Sequence, residues 1–276
     1  MIPGGAGTTS TLWSMQSPSR FDQATAVAQR RVLVAGVVVA VVVGAVLALT
    51  LSIVLGLLVL LAGIAGWVLW ARALLAGVLD RTVAQTGARP ADPAEVPSWF
   101  NALEGVAILT GVQVPELYLL DTPAANALCA ADGGAAAVVV TSGLLDGAGP
   151  VELEVLAAEL LCRLRDGSAR YATLAAGLPP WLEPVAGTGG AAMAAVLGDQ
   201  RAARADLDAV GVTKYPPALI SALDRMEQAG TSVPVAAARS AALWVAPAVG
   251  PEGVDPAVQQ TANQPLDYRI AALREL

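Results

Sequence analysis

The sequence predicts an α+β chain in two parts, a membrane-anchoring helical hairpin followed by a mixed helix and sheet domain. Three observations carry this. No residue from Val32 to Ala71 is charged, with Arg30-Arg31 before the run and Arg72 after it. Between residues 117 and 141, three short apolar runs are separated by turn residues, the pattern of a small sheet. Beyond Pro150, apolar residues recur at helical spacing.

Residues 1–20 are rich in Gly, Ser and Thr and have no short apolar core near the first methionine, so no cleavable signal peptide is expected and the segment reads as mobile. Phe21–Arg31 starts a helix that continues into the apolar run. One membrane span needs about 20 apolar residues. The 40 uncharged residues therefore fit two spans, 32–49 and 53–71, with a turn at Thr50 and Ser52. Two buried helices of a soluble core are the competing reading, but such helices carry a polar face. Arg20, Arg30 and Arg31 precede the hairpin, and Arg72 and Arg81 follow it. Positive flanks stay inside, so both ends and the following domain are expected on the cytoplasmic side. The composition, rich in Ala, Val and Arg and poor in Lys, points to a GC-rich bacterial genome, hence to the bacterial cytoplasmic membrane.

After the hairpin, 73–86 reads as a helix and the Pro- and Gly-rich run 87–97 as a linker. Trp99–Thr110 is a helix ended by Gly111. Leu117–Leu120, Ala127–Ala130 and Ala137–Thr141 are the candidate strands. Gly149-Pro150 opens a helix over 151–165, with Pro at its first position and Glu152 and Glu154 in the first turn. Its stripe is Leu153, Leu156, Ala157, Leu160, Leu161 and Leu164. Prolines and glycines break 166–198. Helices resume at Asp199–Val210, with a stop at Gly211, and after Pro216-Pro217, with a stop at Gly230. The stretch 231–262 has no clear period, and Leu266–Leu276 closes the chain as a helix. The expected organisation is 1–31 as a mobile and juxtamembrane segment, 32–72 as the two transmembrane helices, 73–98 as helix and linker, and 99–276 as the domain.

Composition excludes several functions. Residues 73–276 carry 12 Lys or Arg against 22 Asp or Glu, a net −10. Such a surface opposes nucleic-acid binding, which needs basic groups for phosphates. Cys129 and Cys162 make no disulfide framework, which suits a reducing compartment. Among 276 residues there is no histidine. This removes Ser-His-Asp and Cys-His catalysis and every histidine-ligated zinc site.

The stretch VLAAELLCRL, 155–164, nevertheless has the shape of the zinc-protease signature H-E-x-x-H. Glu159 holds the glutamate position, while Ala158 and Cys162 stand where the histidines would be. Further stretches follow in a fixed order. They are NALEGVAILTGVQVPELYLLDTPAANALCA (101–130), VVVTSGLL (138–145), ELEVLAAELLCRLRDG (152–167), RAARADLDAVGV (201–212) and TANQPLDYRIAAL (261–273). Together with the preceding hairpin, they resemble the membrane-anchored zinc metallopeptidases of the HtpX type, relatives of the CAAX prenyl proteases. The resemblance implies a zincin-like domain, zinc as the family's cofactor, and an edge strand at Asn126-Ala127-Leu128 where peptides lie. It also implies that Glu159 sits at the general-base position, Ala158, Cys162 and Ala202 at the zinc-ligand positions, and Asp206 at a supporting position beside them. Asn263 stands where the closing motif has histidine.

Three ligand positions without imidazole or carboxylate do not hold a catalytic zinc. No cofactor is expected, and the chain reads as a catalytically inactive relative. Its partners would be the bilayer and an unidentified peptide or membrane protein, the peptide lying along the sheet edge. The alternative is an active endopeptidase with a non-standard or partner-completed metal site, for which Cys162, Glu159 and Asp206 are the conceivable ligands. A third reading is a structural membrane adaptor with a closed groove. Each residue also has a plainer reading. Glu159 can form an exposed pair with Arg163 at i+4, worth about 0.2–0.5 kcal/mol. Cys162 can be a small buried hydrophobe, Asp206 can pair with Arg204 or Arg170, and Asn126 can be a turn residue.

Overall fold

The computed structural model of the protein describes residues 19–234, 236–250, 254–262 and 264–276. The expected mobility of residues 1–20 falls, up to residue 18, outside the described residues, as does Asn263. The uncharged run forms two helices, α1 (Arg20–Thr50) and α2 (Ile53–Ala76), both long and apolar enough to cross a membrane. Ser19 caps α1 in a reciprocal capping box with Asp22. The buried side of α1 steps by fours through Ala28, Val32, Gly36, Ala40 and Gly44. Small residues at this spacing let two helix backbones approach closely. A methyl group on Gly36 would lie 2.0 Å from the Trp67 ring, and one on Gly56 2.5 Å from the Ala48 methyl. Trp67 also donates its indole N–H to the Val32 carbonyl at 3.0 Å.

The first turns of α1 belong to the domain as much as to the hairpin. Phe21 is buried in the domain beside Tyr171, Met193 and Leu197, and the Arg20 guanidinium donates to the Leu197 carbonyl at 2.9 Å. Gly77 ends α2, and α3 (Val78–Ala84) follows where one continuous helix, 73–86, was expected. The 87–97 run contains a short strand, β1 (Arg89–Pro90), which a linker reading misses. Proline tolerates that place because β1 is an edge strand, with a neighbour on one side only.

Helix α4 (Pro97–Thr110) ends at Gly111 in the left-handed conformation, φ 70°. Strands β2 (Glu116–Leu120), β3 (Ala127–Ala131) and β4 (Ala136–Thr141) complete a four-stranded sheet of order β1-β2-β4-β3. β2 runs parallel to β4, and β3 and β1 are antiparallel to their neighbours. After the short α5 (Ser142–Gly147) comes α6 (Pro150–Asp166), with Pro150 at its first position. The carboxylate of Glu152 accepts from the Gly149 amide at 2.7 Å, from the Ser221 hydroxyl at 2.5 Å and from the Arg225 Nε at 3.0 Å. Burial works to raise its pKa, and these three donors together outweigh it and hold the carboxyl below its usual range.

The expected break over 166–198 contains α7 (Ser168–Gly177), α8 (Glu183–Ala186) and α9 (Gly190–Leu197). Then come α10 (Arg201–Thr213), α11 (Pro216–Ala229), α12 (Pro256–Ala262) and α13 (Leu266–Leu273). Helix α10 runs through Gly211, against the expected stop there. A lone glycine costs a helix only about 1 kcal/mol, and Ala209, Val210 and Val212 around it pack into the domain core. The sheet divides the interior in two. Ala127, Cys129, Val138 and Val140 face α4, α6, α10 and α11, while Leu128, Ala130, Ala137 and Val139 face α3, α7, α9 and α12. Helix α6 is therefore enclosed on several sides, and its central residues are buried all round.

Candidate functional site

Glu159, Ala158 and Cys162 lie at the middle of α6, and Ala202 and Asp206 lie on α10, which packs against it. All five side chains are buried, Glu159 to 0% exposure and Asp206 to 1%. An unpaired ion in such a place costs several kcal/mol, so the charge on each carboxylate must be met. The expected partners of Asp206, Arg204 or Arg170, are not the ones that meet it. The partner is Arg269 on α13, itself 1% exposed. Its Nε donates to Asp206 Oδ2 at 2.7 Å and its Nη2 to Oδ1 at 2.5 Å, a two-pronged pair. The same Nη2 reaches Glu159 Oε1 at 3.4 Å.

Glu159 does pair with Arg163 at i+4, as its spacing suggests, but inside the core rather than on an exposed face. Arg163 Nη1 goes on to the Trp244 carbonyl at 3.0 Å, and Arg269 Nη1 to the Val245 carbonyl at 2.5 Å. Two carboxylates and two guanidiniums thus form one buried cluster of no net charge. Two atoms in it, Glu159 Oε2 and Arg163 Nε, have no hydrogen-bond partner among the described residues. Burial pushes the Asp206 carboxyl up to about 6, against the pull of Arg269. Burial also works against the Arg269 charge, but Asp206 and Glu159 more than offset it and hold the guanidinium above its usual range.

This geometry bears on the zinc that the resemblance implies. At Ala158 and Ala202 there is a methyl group and no donor atom. At Cys162 there is a thiol whose pKa is pushed up to about 11 by burial, with Arg165 working the other way, so it is protonated at neutral pH. Among the described residues, no three His, Cys, Asp or Glu side chains are grouped so that they could hold a metal ion. The side chains present do not fit zinc. Glu159 is also badly placed as a general base. A base must reach its water or substrate proton at about 2.6–3.2 Å, and Glu159 has no exposed surface.

Asn126 lies just before β3, at the free edge of the sheet, where a bound peptide would be expected. The edge beside it is covered by the chain's own residues. Leu128 pairs with Trp244 in an antiparallel bridge, and the Val245 amide donates to the Ala127 carbonyl at 2.8 Å. Asn126 itself is fully buried and binds Thr231 and Ala246.

Sequence reading missed Arg269 and Trp244 as members of the site. For Arg269 the signal was present: Leu266, Arg269, Ile270 and Leu273 share the core-facing stripe of α13, which puts an arginine on an apolar face. For Trp244 there was none, because its stretch has no period.

The chain is similar to curated proteins described as Protease HtpX homolog. It is 28% identical to that of Dictyoglomus thermophilum over 222 residues, 68% of this chain and 72% of the relative. The homolog of Tropheryma whipplei strain Twist is 28% identical over 232 residues, 70% of this chain and 77% of the relative. A shorter match, to that of Streptococcus pneumoniae strain P1031, is 29% identical over 112 residues, 40% of this chain and 38% of the relative. No family model and no solved structure matches the chain.

Proposed function

We propose, from the premise that the chain belongs with the HtpX-like membrane proteins, that it binds a partner without cleaving it. One observation supports this above the others. The glutamate at the general-base position is tied to two guanidiniums inside a closed, neutral cluster. A catalytic zinc brings the pKa of its bound water from 15.7 to about 7, and the methyl, thiol and methyl at Ala158, Cys162 and Ala202 offer no basis for holding one. The cluster reads as an ionic core that fixes α6, α10 and α13 to one another. A membrane-protein partner is favoured over a free peptide, because the sheet edge is covered by Trp244–Ala246.

The test is proteolysis by the full-length protein in detergent. Unfolded casein and short peptides are expected to remain intact over hours at micromolar protein. Cleavage that disappears in Glu159→Gln would refute the reading and give Glu159 its family role.

The same reading puts the protein in a bacterial cytoplasmic membrane, with both ends of the hairpin on the cytoplasmic side. The support is Arg30, Arg31 and Arg72 flanking the uncharged run. An engineered cysteine at Thr50 should react with an impermeant reagent added to intact cells, and one at Ala271 should not. Labelling at 271 would reverse the orientation.

A further inference from the structure

An edge strand presents unpaired N–H and C=O groups and is a ready template for another strand. Here β3 is such an edge, and what lies on it is recognised in unusual detail. Leu128 faces Trp244, and the Val245 N–H donates to the Ala127 carbonyl at 2.8 Å. One residue further on, the ladder continues through a side chain. Asn126 Nδ2 donates to the Ala246 carbonyl at 3.0 Å, and Asn126 Oδ1 accepts from the Ala246 N–H at 3.2 Å. The side-chain amide offers the donor and acceptor pair that a backbone peptide would offer.

The carbonyls of the segment meet charged donors from other elements. The Trp244 carbonyl accepts from Arg163 and the Val245 carbonyl from Arg269, at 3.0 and 2.5 Å. Both guanidiniums also bind Glu159, so the segment crosses the centre of the degenerate site. The Trp244 side chain is 1% exposed, and its indole N–H donates to the Ser240 hydroxyl at 3.2 Å. The flanks are pinned too: the Thr231 hydroxyl donates to the Pro247 carbonyl at 2.6 Å, and the Val233 amide to the Ala248 carbonyl at 2.9 Å.

We propose that Trp244–Ala246 is a resident strand, filling in cis the groove in which the β3 edge would receive an extended apolar peptide. Arg163 and Arg269 are the carbonyl donors of that groove, and the space around Trp244 is its aromatic subsite. The segment seals the groove against outside peptides. This deepens the non-cleaving reading and rests on it for the identity of the groove. The tests below report only on the strand, whereas proteolysis and metal content report only on that reading, so the two can fail separately.

Hydrogen exchange of the full-length protein in detergent, read by mass spectrometry, is the first test. The amides of Val245 and Ala246 should exchange as slowly as those of β4. Exchange as fast as in the exposed turn at 92–95 would overturn the proposal. The second test uses a fluorescein-labelled peptide with the sequence of residues 241–248, Ala-Ala-Leu-Trp-Val-Ala-Pro-Ala, followed by anisotropy. The variant Trp244→Ala vacates the aromatic subsite and should bind this peptide at least about tenfold tighter than wild type, a difference of about 1.4 kcal/mol. Val245→Pro deletes the N–H that bonds to Ala127 and should act in the same direction, which keeps the test valid if Trp244→Ala does not fold. Equal binding to wild type and variant would overturn the proposal, as would a folded variant with no gain.

Discussion

Replacing Arg269 with alanine is expected to cost about 3–5 kcal/mol of stability, because it removes one partner of a buried ion cluster and leaves the others charged. Asp206 loses both of its short contacts, and the Val245 carbonyl loses its donor. For a domain of this size such a loss lowers Tm by roughly 6–20 °C. The effect comes from the stranded charge and not from the worth of the pair. Removing both charges at once, in Arg269→Met with Asp206→Leu, should therefore recover much of the loss, since apolar replacements of buried ion pairs are often neutral or stabilising. Thermal unfolding of wild type, single and double variants in one detergent checks this. A single variant within about 0.5 kcal/mol of wild type, the range of ordinary surface substitutions, would mean that the cluster is not buried as described.

Asn126→Ala is expected to be the next most damaging change, at about 2–4 kcal/mol for several buried polar groups left unpaired together. A buried polar group left without a partner costs about 1–3 kcal/mol. Here the alanine strands the N–H and C=O of Ala246, the Ala127 N–H and the Thr231 carbonyl together. Part of this is recovered by local shifts, so the sum stays below four separate penalties. Asn126→Asp keeps the acceptor for the Ala127 and Ala246 amides and removes the donor to two carbonyls. It should fall between wild type and alanine only where the new carboxylate is protonated, at low pH. At neutral pH it adds a buried charge facing two carbonyl oxygens and should be at least as damaging as alanine. Denaturant unfolding at pH 5 and pH 8 separates these outcomes. Equal stability of Asn126→Ala and wild type would make Asn126 a simple turn residue.

Much of this architecture was legible because local pattern and tertiary demand agree. The stripe from Leu153 to Leu164 marked α6, the three apolar runs marked β2, β3 and β4, and the uncharged run marked the hairpin. The four-residue spacing of Gly36, Ala40 and Gly44, which close helix packing needs, is a signal the sequence reading did not use. What was not legible depends on contacts distant in sequence. β1 is two residues in a proline-rich run and exists only because β2 offers it an edge. Trp244–Ala246 has no periodicity, and its extended form comes from β3, Arg163 and Arg269. At the site, the spacing of Glu159 and Arg163 gave the pair but not its burial. Burial follows from packing on several faces of α6, which one helix's sequence does not report. Asp206 and Arg269 are 63 residues apart, and only the fold brings them together.

The central proposal is that the site resembling that of the HtpX-type peptidases is an ionic core that holds no catalytic metal. Elemental analysis of the full-length protein, purified in detergent without chelator and compared with its buffer, tests this most directly. The account predicts zinc far below one ion per chain, unchanged by added zinc followed by desalting. About one zinc per chain, removed by chelator and restored with peptidase activity on reloading, would contradict it.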